Sequence, residues 1–165
     1  MELSHPQLRE LTEAIVPLLR GINPFRPGEK VLTVFDPTTE RCVWILHDTH
    51  YRKRRPNDVI GEQVTYPSIR VDKPAEVPED EFLGKLDGLK LDYVRTFAED
   101  DDRAAKCRVD VAFYSPSEGG RNALAILTNV LGVRADSWLF ITTHVPKAWP
   151  SPLPRPAVWP PAAAG

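Results

Sequence analysis

The sequence predicts an α+β fold: a mainly antiparallel sheet of about five to six strands, with helices packed on one face. Three observations lead there. Residues 105–132, AKCRVDVAFYSPSEGGRNALAILTNVLG, combine an alternating strand, a capped turn and an amphipathic helix. Two β-rich runs, VLTVF and CVWIL, flank the turn-forming DPTTE. The order of elements along the chain is helix, hairpin, strand, short helix, hairpin, helix, strand. This differs from the regular alternation that builds a parallel sheet.

The first helix opens at Ser4-His5-Pro6-Gln7, which has the form of a capping box, and its apolar face is Leu8, Leu11, Ile15 and Leu18. Pro17 conflicts with it. A proline inside a helix removes a backbone bond and costs about 3 kcal/mol, so a kink or an early end is expected, with Gly21 closing the element. Residues 21–29 form a Pro/Gly connector. Residues 30–35 and 42–47 form a β-hairpin around Asp36-Pro37-Thr38-Thr39-Glu40. Residues 47–62 are polar and basic and are expected as an exposed loop. Residues 64–71 give a third strand, expected at an edge or bulged because of Pro67.

After a linker at 74–78, residues 79–86 form a short helix with Phe82, Leu83 and Leu86 on one face and acids in the first turn, where the helix dipole favours them. Residues 89–98 alternate again and pair with the strand of 105–114 around a charged tip at 99–103. In that strand Cys107, Val109, Val111 and Phe113 share one face, and Arg108, Asp110 and Tyr114 the other. Ser115-Pro116-Ser117-Glu118 caps the next helix, and Gly132 stands where a C-cap glycine belongs. Gly119 and Gly120 fall in its first turn. There each costs about 1 kcal/mol against alanine, which implies a tight helix start or close packing on a partner. A helix start can also cradle phosphate, but no Gly-x-Gly-x-x-Gly or Gly-Lys-Ser/Thr accompanies it. Residues 137–144 give the last strand. The organisation is a single domain over 1–144 and a Pro/Trp-rich extended tail over 145–165, which holds seven of the 17 prolines.

With 165 residues and a net charge of −2, the chain suffices for one core and exerts no global attraction on nucleic acid or membrane. Cys42 and Cys107 lie in apolar runs without Cys-x-x-Cys or zinc-finger spacing, so two buried free thiols in a reducing compartment are expected. No signal peptide is recognisable and no run approaches the roughly 18 apolar residues of a membrane span. The expectation is a soluble, intracellular protein with no cofactor, no metal and no membrane contact.

Several clusters could carry chemistry. His47-Asp48-Thr49-His50 would suit a metal if further ligands converged from elsewhere, but its simpler reading is a polar loop at a strand end. His47-x-Thr49 together with His144 resembles the paired motifs of two-histidine phosphoesterases, which cleave cyclic phosphates of RNA or nucleotides with one His as base and one as acid. On that alternative the catalytic residues would be His47, Thr49 and His144. Pro146 occupies the place where the second motif needs a hydroxyl, so one phosphate contact would be missing. Arg52, Lys53, Arg54 and Arg55 form a basic run that reads as a solvated loop or a subunit contact, and this loop is the one place where the chain could meet nucleic acid. Glu99-Asp100-Asp101-Asp102 lacks the ligand pattern of a calcium loop. Trp149 and Trp159 in the tail are candidate docking residues, on this domain, on a neighbouring subunit, or in a partner's groove if the chain is an adaptor.

Three stretches, SHPQLRELTEAIVPLLRG, VTYPSIRV and KCRVDVAFYSP running into NALAILTNVLG, resemble the tail-terminator (tail-completion) proteins of long-tailed bacteriophages. The resemblance implies a small α+β domain that forms a ring on the end of the tail tube and presents a surface to the head connector. It implies a non-enzymatic, homo-oligomeric structural protein with other virion or assembly proteins as partners, in the virion or the host cytoplasm. It transfers no catalytic residue. The long hairpin with its basic loop and the Pro/Trp tail are not hallmarks of that family.

Overall fold

A computed structural model of the chain describes residues 5–20, 31–52, 62–96 and 107–144. These form one six-stranded antiparallel sheet and three helices, an α+β architecture. Helix α1 spans Leu8–Leu19, strand β1 Val31–Phe35, β2 Cys42–Arg52 and β3 Glu62–Asp72. Helix α2 spans Glu79–Gly88, β4 Tyr93–Thr96, β5 Arg108–Ala112, α3 Pro116–Ala125 and β6 Phe140–His144. The strand order is β4-β5-β3-β2-β1-β6. Among the described residues no helix is long and apolar enough to cross a membrane.

The helices cover one face of the sheet. Leu11, Ile15 and Leu18 of α1, Phe82 and Leu86 of α2, and Ala123 and Leu124 of α3 join Leu32, Val34, Val43, Ile45, Ile69, Val71, Val109 and Val111 in one core. The strand members fall on alternate residues, as the pleat requires. Register then aligns them into apolar rows across the strands, such as Leu32, Ile45, Ile69 and Val111.

The turn between β1 and β2 is held by Asp36, whose carboxylate accepts from Thr39 N (3.1 Å) and Thr39 Oγ1 (2.6 Å). Its last residue, Glu40, takes a positive φ of 61°. The cap of α3 forms as expected: Ser115 is extended and its Oγ accepts from Glu118 N at 3.2 Å, while Glu118 Oε2 accepts from Tyr114 N at 3.1 Å. Beyond Ala125 the helix widens over Ile126–Val130, with Leu131 N bonded to Ile126 O (3.0 Å). It ends in a Schellman-type turn, Val133 N to Leu127 O (2.9 Å), around Gly132 at φ 73°.

Gly119 and Gly120 are buried, and packing within the chain rather than on a partner explains them. A Cβ on Gly119 would lie 2.7 Å from the Phe113 ring, and one on Gly120 2.8 Å from Thr12 Oγ1 of α1. The glycines let the start of α3 close onto the sheet and onto α1.

Four expectations need correction. First, Gln7 does not complete a capping box. The amide is buried and grips the segment before β6, donating Nε2 to Leu139 O (2.9 Å) and accepting from Leu139 N (2.6 Å). The backbone N of Gln7 is instead satisfied by His5 Nδ1 (3.1 Å); Ser4 lies outside the described residues. Second, of the two outcomes expected at Pro17 the early end is not taken, since α1 runs on to Leu19 with an extended Arg20 after it; Gly21 lies outside the described residues. Third, β3 is an interior strand between β5 and β2, not an edge. The Pro67 carbonyl accepts from Phe113 N (3.3 Å), so its backbone polar groups face the β5 side and the missing N–H takes nothing from the β2 ladder. Fourth, Cys42 is only partly buried, whereas Cys107 is buried; the two are not joined in a disulfide.

Candidate interaction surfaces

Residues 47–62 were expected as loop, but both ends of that segment are strand. β2 runs to Arg52 and β3 starts at Glu62, paired from His47↔Pro67 to Arg52↔Glu62. Among the described residues the β1 ladder reaches Leu46 and the β5 ladder Ser68. Apart from the Phe113–Pro67 bond, the outer six pairs of β2 and β3 have no third strand beside them among the described residues and form an arm about 20 Å long at strand rise.

The sequence candidates distribute as follows. His47 is partly buried at the base of this arm, and Thr49 follows two residues out, opposite Thr65. Arg52 is the last residue of the arm, opposite Glu62. His144 is the last residue of β6, opposite Val31, which is itself opposite Leu46. His47 is thus one step out of phase with the backbone row that holds His144, and the register does not align them. Lys53, Arg54, Arg55, Trp149 and Trp159 lie outside the described residues, as do the acidic tip at 99–103 and Pro146. No three His, Cys, Asp or Glu side chains converge among the described residues.

Sequence reasoning missed a second surface, on the sheet face away from the helices. One backbone row there reads Thr142, Thr33, Trp44, Arg70, Asp110 and Val94, spanning all six strands. Arg70 and Asp110 form a bidentate pair, with Nε to Oδ1 and Nη2 to Oδ2 both 2.9 Å, and Asp110 is fully buried. Arg108 makes the same fork to Asp72, at 2.5 and 2.9 Å. The sequence held a signal for both. The triplet Arg-Val-Asp occurs at 70–72 and again at 108–110. Antiparallel pairing about Val71↔Val109 sets each arginine opposite the other triplet's aspartate. Beside this row lies a small apolar cluster of Val31, Trp44 and Leu46, with Cys42 against it.

Thr33 Oγ1, Trp44 Nε1, Ser68 Oγ and Thr142 Oγ1 are buried on this face without a hydrogen-bond partner among the described residues. Buried polar atoms of this kind normally find one. The titration shifts lie elsewhere. Burial lowers the pKa of His5, opposed by the Ser137 backbone, and burial raises that of the Cys107 thiol. Among the described residues the large exposed apolar side chains are Val94 of β4 and two aromatics, Tyr114, beyond the C-terminal end of β5, and Trp138, before the start of β6. β5 and β6 run in the same direction, so these two aromatics lie at opposite ends of the sheet.

No protein-family model, curated protein or solved structure matches this chain.

Proposed function

We propose that this chain is a non-enzymatic structural protein that assembles through subunit contacts, in the manner of a phage tail-terminator or neck component. The arm carries this reading. A two-stranded ribbon is at best marginal on its own in water and gains stability by lying on another surface. An arm reaching about 20 Å past the sheet suits a protein that grips a neighbour. The two exposed aromatics support the same reading. A closed ring is built from head-to-tail contacts between two different surfaces, and Tyr114 and Trp138 mark opposite ends of the sheet. The basic residues Arg52, Lys53, Arg54 and Arg55 would then meet acidic groups on the neighbouring subunit or on an assembly partner.

Nothing in the register favours the two-histidine phosphoesterase, because His47 and His144 stand out of phase on the sheet. Negative-stain imaging and native mass spectrometry test the assembly reading. Rings are expected from the unmodified chain, and shortening the arm by removing residues 50–64 should yield monomers that keep their helix content. A chain that is monomeric at every concentration, alone and with tail tubes, would sink the proposal.

A further inference from the structure

The middle of the sheet face away from the helices is buried, and the described helices pack on the opposite face. Val31, Leu46, Ser68 and Asp110 have no exposed surface and Trp44 retains 5 %. All three helices contribute to the core on the opposite face, whereas among the described residues the cluster around Val31, Trp44 and Leu46 contains strand residues only.

We propose that residues 145–165 of the same chain dock across this face, seating the indoles of Trp149 and Trp159 against Val31, Trp44 and Leu46. Position is the first argument. The segment starts directly after His144, which is one strand from Val31 and two from Leu46 in the same backbone row. Its attachment point therefore lies about 5–10 Å from the cluster at ordinary strand spacing, close enough for a high effective concentration. Length is the second. A proline-rich stretch of 21 residues extends up to about 65 Å. The path from β6 to β5 is about 19 Å at strand spacing.

Chemistry is the third argument. The segment carries Val145, Trp149, Leu153, Val158 and Trp159, enough apolar surface to cover a cluster but no periodicity to build a core of its own. Its seven prolines have no N–H, and a polyproline II chain leaves its carbonyls free as acceptors. The face presents the complement: the hydroxyls of Thr33, Ser68 and Thr142 and the indole N–H of Trp44, all buried without a partner among the described residues. Donors on the sheet and acceptors on the tail satisfy each other. This inference does not rest on the assembly reading, since it concerns one chain alone.

The two cysteines give a direct readout, because Cys42 packs against the cluster on this face and Cys107 belongs to the helix-side core. Ellman's reagent is applied to the full chain and to a full-length Trp149→Ser/Trp159→Ser variant. Cys42 is expected to react about tenfold faster in the variant while Cys107 stays protected, as for local opening without global unfolding. An unchanged Cys42 rate overturns the proposal and assigns the cover to another segment, such as residues 21–30. Protection of Cys42 that weakens on dilution of the unmodified chain places a neighbour's tail on the face and overturns docking within one chain. Should both thiols of the variant become reactive, NMR of the unmodified chain decides. Contacts between the indole protons of Trp149 or Trp159 and the methyls of Val31 or Leu46 are expected, and their absence refutes the docking.

Discussion

The two faces of the sheet are buried by different means. Toward the helices, register lines up Leu32, Ile45, Ile69 and Val111, and Val71 opposite Val109, with apolar side chains of α1, α2 and α3 above them. Toward the other side, the same strands present Thr33, Trp44, Arg70 and Asp110. One face is held by dispersion and loss of apolar surface to water, which need shape but no partners. The other removes charges from water, which is tolerable only where each charge finds its counterpart. A single pleated strand therefore reads as two sequences, each answering to its own neighbours.

Mutations separate the two cases. On the polar face, Asp110→Ala leaves Arg70 buried without the carboxylate it grips and should cost about 3–5 kcal/mol in urea unfolding. Replacing both residues, Arg70→Met with Asp110→Leu, should recover most of that loss. If the double variant is no more stable than the single one, the pair is not what holds this face. On the helix side, Ile69→Ala should cost about 2–5 kcal/mol, with no single compensating change available.

A smaller effect is expected where the helices meet each other. Gly120→Ala drives a methyl into Thr12 Oγ1 and should destabilise by about 1–3 kcal/mol, and the Thr12→Ala background should relieve part of it. Ser115→Ala removes the cap of α3 and should lower stability by about 1 kcal/mol, read as a shifted denaturation midpoint at constant slope.

The smallest effect is a pH dependence at the helix-side margin. His5 is held neutral by burial, with Nδ1 accepting from Gln7 N, and its folded pKa lies below the ordinary 6.5. The unfolded chain therefore takes up this proton at a higher pH than the folded chain does. The contribution is whole above pH 6.5 and is lost as pH falls from there through the lowered folded value. Denaturation midpoints measured between pH 8 and 5 should decline less in His5→Gln than in the unmodified chain. Parallel declines would remove His5 from the account.

Local chemistry was legible where it acts over a few residues. The Asp36 turn, the Ser115 cap and the Gly132 stop each depend on side chains within six positions, and all three formed. Features set by distant pairing were hidden. Pro67 looks like an edge residue until the ladder shows which neighbour its carbonyl faces. Gln7 has the spacing of a cap, but a buried amide bonds whichever backbone packs beside it, and Leu139 is 132 residues away. The arm was misread because polar and basic composition is expected of an exposed loop, and a pair of strands can carry that composition as much as a loop does. The repeated Arg-Val-Asp triplet was visible in principle, since identical triplets in antiparallel strands pair charge with opposite charge.

Assembly through surfaces is the central claim, and sedimentation velocity on the unmodified chain over a hundredfold range of concentration tests it most directly. The account predicts a discrete closed multimer of the 18.6 kDa chain that persists on dilution and is lost when the arm is shortened. A single monomeric boundary at every concentration would contradict it.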